Sequence, residues 1–454
     1  MLTDLAATIC ALATPVGRSG IAVIRVSGKS AIATVGSICQ PHTPSAFDSK
    51  PSCTAFRCKI VDPSGNVVDD CMATIFRSPR SYTGDDTVEI SAHGSPVVIA
   101  RIVELLLSSG CREANPGEFT LRAYLNGKMD LAQAEAVADI IDSSTVHAQQ
   151  LAARQQSGVL SVAVNNLRAE ALGVLARIEA SIDFPEDVGE LDAVLCVALL
   201  VECSQTIVRL ISTADKGILA REGARVALVG KPNVGKSSLL NALLRTDRAI
   251  VTNIAGTTRD TLDESFNLFG LPVVLTDTAG IRISEDIVEE LGIARTLTAL
   301  SDSNLIVHVL DASTGMSPED ELISHRIYGL KNITVWNKAD IAGAGLQTFG
   351  FTSVSASRGD NIEVLERQMF GMLTEGSPED GIELPMVTHS RHKAALNEAN
   401  EFCITAIKSL RRDLPIDFVS IEVQSMINAL GLITGESAEI DVLTEIFSRF
   451  CIGK

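Results

Sequence analysis

The chain has 454 residues, 46% hydrophobic and 21% charged, with a formal net charge of −18. That composition supplies two or three buried cores and excludes a disordered chain. Its acidity excludes nucleic-acid binding through the overall field, so any RNA contact needs a local basic patch or a basic partner. No apolar run reaches the ~20 residues that span a bilayer. Met1-Leu2-Thr3-Asp4 lacks the basic stretch of a secretory signal. The ten cysteines show no regular spacing and no CxxC pair, as expected of reduced thiols in a cytoplasmic protein.

Residues 1–120 alternate short β-rich runs (20–26, 74–76, 87–90) with a helical stretch near 97–107, punctuated by Gly and Pro. This predicts a small N-terminal α/β domain. Residues 121–215 are rich in Ala, Leu, Gln and Glu, with Leu131, Ala134, Val137, Ala138 and Ile141 at helical spacing. Pro185 interrupts that helical pattern. Residues 216–373 alternate strands and helices, the pattern of a parallel sheet with crossover helices. A polar linker opens the last segment, 374–454, which is otherwise helical. Either the two helical stretches form one bundle with the α/β segment inserted between them, or they are separate domains.

The apolar run Val226-Ala227-Leu228-Val229 leads into Gly230-Lys231-Pro232-Asn233-Val234-Gly235-Lys236-Ser237, and a helix then begins at Ser238. This is GxxxxGK[ST] in its required strand–loop–helix context. The glycines let backbone N–H groups turn toward phosphates, and the helix N-terminus adds partial positive charge. Lys236 is placed for the β- and γ-phosphates and Ser237 for Mg²⁺. A second strand runs into Asp277-Thr278-Ala279-Gly280, with Asp277 set to hold Mg²⁺ and Gly280 to meet the γ-phosphate. A third ends in Asn337-Lys338-Ala339-Asp340. The Asp340 carboxylate can accept from guanine N1–H and the 2-amino group; adenine would leave it unpaired. Ser355-Ala356 fits the loop that closes over the base. Four motifs in this order predict a Ras-like P-loop G domain that binds GTP.

Between the P-loop and Asp277, the run Gly256-Thr257-Thr258-Arg259-Asp260 offers Thr258 to complete the Mg²⁺ shell. Ile281 follows the DTAG motif where small Ras-like GTPases place a water-orienting Gln. The attacking water must therefore be held by another group, among Arg282, Glu285, Asp286, Glu289 and Glu290. Asn233 reads either as a turn residue or as an oxygen ligand for a monovalent cation near the γ-phosphate.

The chain resembles the bacterial and organellar tRNA-modification GTPases called MnmE or TrmE along essentially its whole length. The resemblance rests on Ala13-Thr14-Pro15, Gly17-Arg18, Ser81–Asp86, the block from Pro116 to Val137, the Asp183–Glu186 stretch, the G motifs and the terminal Cys451-Ile452-Gly453-Lys454. It implies an N-terminal domain that dimerises and binds a folate one-carbon donor such as 5-formyltetrahydrofolate, a helical domain built from both flanks, and an inserted potassium-dependent G domain. It implies that Asn233 and the carbonyls of Thr252 and Ile254 contact K⁺, that Glu289 positions water, and that Cys451 serves the modification. It also implies an FAD-dependent partner similar to MnmG (GidA), forming a heterotetramer that modifies C5 of the wobble uridine of certain tRNAs, with GTP hydrolysis moving domains. Arg25, Glu89, Arg122 and Lys128 are the polar candidates for folate, weighed against ordinary salt bridges. Ser95 stands where the family commonly has Gly. A ribosome-assembly or signalling GTPase is the alternative reading, although the last ~80 residues show no KH-type GxxG loop in a basic setting.

Overall fold

The computed structural model describes residues 4–42, 47–244, 263–277, 303–342, 351–374 and 386–454. It divides into two units, one of Met1–Ala138, Gln156–Leu172 and Ile427–Lys454, the other of Asp139–Gln155 and Gly173–Met426.

In the first unit, strands β1 (Ile9–Leu12), β2 (Ser19–Ser27), β3 (Cys39–Pro41), β4 (Thr54–Val61), β5 (Val67–Phe76), β6 (Thr87–Gly94) and β7 (Arg112–Glu113) form a sheet in the order β3-β4-β5-β6-β2-β1-β7. The period-two pattern is strict. Ala22, Ile24 and Val26 of β2, Val88, Ile90 and Ala92 of β6, and Phe56, Cys58 and Ile60 of β4 all enter one core. The helices Ala31–Ile38 and Pro96–Ser108 cover that face with Val35, Ile38, Ile102 and Leu106. Ser95 caps the second helix at φ −95°, an ordinary conformation, so Gly is not required there. Gly94 is the constrained neighbour, since a Cβ there would lie 2.0 Å from Ser19 Oγ.

A satellite core joins the helix Glu118–Leu125 to the chain end through Leu121, Leu131, Leu443, Phe447 and Phe450. Tyr124 adds a hydrogen bond from its hydroxyl to the Gly435 carbonyl at 2.7 Å. Each fully buried large side chain contributes about 1.5–3 kcal/mol, enough to hold the C-terminal residues on the N-terminal sheet.

The second unit carries strands β8 (Ala224–Val229), β9 (Asp263–Leu268), β10 (Leu271–Asp277), β11 (Leu305–Asp311), β12 (Asn332–Asn337) and β13 (Thr352–Ser353), ordered β13-β12-β11-β8-β10-β9. All pairings are parallel except β9 with β10. β11 is buried at every residue, as a central parallel strand covered on both faces must be.

The helices on either side of this segment in sequence pack on each other. Ser204 of the helix Ala193–Ser212 donates to Asn400 of the helix Ser390–Arg411 at 2.8 Å, and Cys403 donates to the Leu200 carbonyl at 3.2 Å. Gly217 lies so close to the Val387 carbonyl that a Cβ would sit 2.3 Å from it. The G domain is therefore an insertion between two packed helical stretches.

Three segments, Val159–Asp183, Ala193–Glu222 and Ile416–Thr434, are long and apolar enough by length and composition to cross a membrane. A search for unbroken apolar runs misses them, because scattered polar residues interrupt each one. Their buried residues recur at helical spacing, as in Cys196, Leu200, Cys203, Ile207 and Leu210. That is the one-sided stripe of a helix packed in a protein core.

Candidate functional site

The P-loop joins β8 to the helix Lys236–Leu244. Three of its residues take positive φ: Gly230 at 152°, Asn233 at 65° and Gly235 at 93°. A Cβ at Gly230 would lie 2.4 Å from the Val309 carbonyl, and one at Gly235 would lie 2.3 Å from Asn337 Nδ2. Only glycine fits either place. Val234 is buried in the core beneath the loop, while Asn233, Ser237 and Ser238 are exposed. Lys236 is buried, and its Nζ donates to the carbonyls of Gly230 at 2.7 Å and Lys231 at 3.0 Å. The result is a concave row of backbone N–H groups at a helix N-terminus with a lysine held across it, a fit for a polyphosphate.

The Asn337-Lys338-Ala339-Asp340 motif follows β12. Asn337 Nδ2 donates to the Val234 carbonyl at 2.9 Å, and Asn337 Oδ1 accepts from the Ala356 N–H at 3.1 Å. Lys338, at φ 64°, pairs with the buried Asp311 at 2.6 Å. Burial raises the Asp311 pKa, but donors from Lys338 and Ser313 outweigh it and hold the carboxyl below its usual range. Asp340 accepts from Ser355 Oγ at 2.7 Å, and this bond leads the causes that lower its pKa. Ser355 and Ala356 are both buried beside this carboxylate, and the Ser355 hydroxyl fixes its position. Asp277 ends β10 with its Cα abreast of Leu228, so the first residue of the second motif lies beside the P-loop strand. Thr252, Ile254, Thr257, Thr258, Thr278, Ala279, Gly280 and Glu289 lie outside the described residues.

A second polar site lies on the face of the first sheet opposite its core. Arg25 and Glu89 are cross-strand partners on β2 and β6, with Arg25 Nη2 2.8 Å from Glu89 Oε1. The Arg25 guanidinium stacks 5.4 Å from the Tyr82 ring centroid and 5.6 Å from that of Phe119. It also donates to the Gly453 carbonyl at 3.2 Å, which brings the chain end to the pair. Gly453, at φ 95°, approaches so closely that a Cβ would lie 2.4 Å from the Leu12 carbonyl. Lys454 is a residue the sequence reading did not single out. Burial lowers its pKa, nearby Arg25 lowers it further, and Glu89 opposes them. The terminal motif is the sequence signal for it, and Cys451 in the same motif is exposed.

Arg122 and Lys128 make other contacts. Arg122 is buried against Glu118 at 2.9 Å, with Arg112 on the same carboxylate at 2.7 Å. Lys128 Nζ donates to the Pro79 carbonyl at 3.0 Å. Neither has a described hydrogen bond or ion pair to Arg25 or Glu89.

A family model described as the GTP-binding protein TrmE N-terminus matches residues 8–128, and one described as the MnmE helical domain matches residues 131–451. The tRNA modification GTPase MnmE of Carboxydothermus hydrogenoformans is 41% identical over 459 residues, covering 98% of this chain and 99% of that protein. The MnmE of Moorella thermoacetica is 41% identical over 466 residues, covering 100% of each. Among solved structures, Era of Aquifex aeolicus bound to GDP and aluminium fluoride is 29% identical over 39% of this chain and 66% of that one, at a TM-score of 0.28. Matched along its full length at this identity, the chain belongs to the MnmE (TrmE) family of tRNA modification GTPases.

Proposed function

We propose that this GTPase works in the modification of C5 of the wobble uridine of certain tRNAs, using a folate one-carbon donor bound at the Arg25–Glu89 site. The observation that carries this reading is the cross-strand Arg25–Glu89 pair, flanked by Tyr82 and Phe119 and met by the chain end at Gly453. A pterin presents an N–H and a 2-amino group side by side, which a carboxylate accepts as a pair. Its flat ring suits an aromatic wall, and the donor's carboxylates suit Arg25 and Lys454. Arg122 and Lys128 complete the set inferred from family resemblance.

The modular division in this reading is 1–120 for folate binding and dimerisation, 121–215 and 374–454 for the helical domain, and 216–373 for the G domain. The protein acts as a homodimer with an FAD-dependent partner of the MnmG type, which performs the redox chemistry, and Cys451 serves the modification near the folate site. Mg²⁺ at Ser237, Thr258 and Asp277, and K⁺ at Asn233, Thr252 and Ile254, would supply positive charge to the phosphates. The polypeptide's own contribution is to seat the phosphates on the P-loop, read guanine through Asp340 and orient water with Glu289. Hydrolysis then changes domain positions rather than entering the uridine chemistry. The place of action is the cytoplasm.

The test is calorimetric titration of the full chain with 5-formyltetrahydrofolate. Stoichiometric binding by the wild type, lost in Arg25→Ala with GTP hydrolysis retained, supports the reading. An intact protein that binds no folate removes the one-carbon role and leaves the GTPase.

A further inference from the structure

The P-loop is pinned at two places. Toward its C-terminal end the Val234 carbonyl is held by Asn337, which opens the Asn337-Lys338-Ala339-Asp340 motif. At its N-terminal end the pin is a side chain that no phosphate-binding motif requires. Lys231 Nζ lies 2.9 Å from Asp320 Oδ2 and 3.1 Å from Ser317 Oγ.

Asp320 is fully buried, at the third position of the helix Pro318–Arg326. The same oxygen accepts from the Ser317 N–H at 2.9 Å and the Ser317 hydroxyl at 2.7 Å, so the carboxylate closes a capping box. Burial raises its pKa, but the Ser317 and Lys231 donors outweigh that and hold it below the usual range. Its other oxygen, Oδ1, is buried without a hydrogen-bond partner among the described residues. A buried carboxylate needs a cation, and the cation it has comes from the P-loop. The backbone of that same lysine is also engaged, since the Lys231 carbonyl accepts from Lys236 Nζ at 3.0 Å.

We infer that Asp320 is a positioning residue for nucleotide binding, acting through Lys231 to hold the entrance of the P-loop in its phosphate-accepting shape. The loop takes positive φ at three residues, and Lys236 holds it from within through the Gly230 and Lys231 carbonyls. Tethering Lys231 to a buried helix cap removes alternative loop states before the nucleotide arrives, and preorganisation of this kind appears as affinity. The effect falls on binding rather than on the hydrolytic step, because the tether touches neither the γ-phosphate position nor the attacking water.

The test is titration of the full chain with a fluorescent GDP analogue, alongside steady-state GTP hydrolysis. Lys231→Met raises Kd and KM about tenfold, the scale of one charge-assisted hydrogen bond, and changes kcat much less. Lys231→Arg, whose guanidinium reaches the same carboxylate, restores most of the affinity. Asp320→Asn shifts Kd in the same direction, and the double variant binds no worse than Lys231→Met alone. Should Asp320→Asn fail to fold, the two Lys231 variants carry the test. Wild-type Kd in Lys231→Met overturns the assignment and leaves Asp320 as a helix cap alone. A double variant whose loss equals the sum of the single losses overturns it as well.

Discussion

Asn337 donates through Nδ2 to the carbonyl of Val234 at 2.9 Å, so the Asn337-Lys338-Ala339-Asp340 motif and the P-loop are one hydrogen-bonded body. Its Oδ1 meanwhile accepts from the Ala356 N–H. Asn337→Asp keeps the shape and the bond from the Ala356 N–H, but it loses the donor and sets a charge against the buried Val234 carbonyl. We expect it to weaken GDP and GTP alike, by about tenfold or more. Parallel titrations with both nucleotides check this, and a loss confined to one of them would contradict it.

Asp340 is held by Ser355 at 2.7 Å, and its proposed role is to accept two donors from guanine. Asp340→Asn replaces a carboxylate with a group that also donates. Guanine affinity falls by about 100-fold, the loss of two hydrogen bonds to a charged group. Xanthine nucleotides, with an acceptor in place of the 2-amino group, gain relative to guanine. Competition between GDP and XDP measures the change, and an unchanged preference would remove Asp340 from base reading.

The chain end is held by geometry that only glycine permits. Gly453 sits at φ 95° with the Leu12 carbonyl where a Cβ would point. Gly453→Val costs about 1–3 kcal/mol in strain or displaces the tail. Displacement breaks the Arg25 contact to the Gly453 carbonyl. Folate affinity then drops about tenfold or more, while GTP hydrolysis is untouched. Calorimetry with 5-formyltetrahydrofolate and a phosphate-release assay separate the two effects.

Glu118 is fully buried between Arg112 and Arg122. Burial raises its pKa, but Arg112, the Asn115 N–H and Arg122 outweigh that and lower it. A lowered folded-state pKa means stability that is present above about pH 4.3, the unfolded value, and lost as pH falls through the folded one. Glu118→Gln leaves two guanidinium groups beside a neutral amide, at a cost of about 3–5 kcal/mol. Hydrogen exchange in β1 and the helix Glu118–Leu125 measures it. The difference between variant and wild type should be full at pH 7 and shrink in acid; a constant difference would refute the ion-pair account.

The roles proposed for Glu289 and for potassium concern residues outside the described ones, so their test is kinetic. Glu289→Ala keeps GTP affinity and lowers kcat by about 100-fold or more, within the range of positioned general-base and water-orienting groups. Sodium in place of potassium slows the wild type as well. Normal turnover in the variant would assign water positioning elsewhere.

Much of this was legible in the sequence because it is local. The P-loop, the Asn337-Lys338-Ala339-Asp340 motif and the period-two runs of β2 and β6 each fit within about ten residues, where spacing alone fixes geometry. Contacts closed by the fold were not legible. Lys231 meets Asp320 from 89 residues away, and Arg25 meets Gly453 from 428. Nothing in the pattern around Arg25 announces that the chain end will return to it. Arg122 and Glu118 are an intermediate case. Their spacing of four on one helix was readable as an ion pair, but burial, which makes the pair structurally costly to break, was not.

The central claim is that this GTPase acts in wobble-uridine modification. The most direct measurement is mass spectrometry of nucleosides from tRNA of cells lacking the gene, complemented with the wild-type chain, Lys236→Ala or Arg25→Ala. Only the wild type is expected to restore the C5-modified wobble uridine. Full restoration by both variants would contradict it, since neither the nucleotide site nor the Arg25–Glu89 site would then serve the modification.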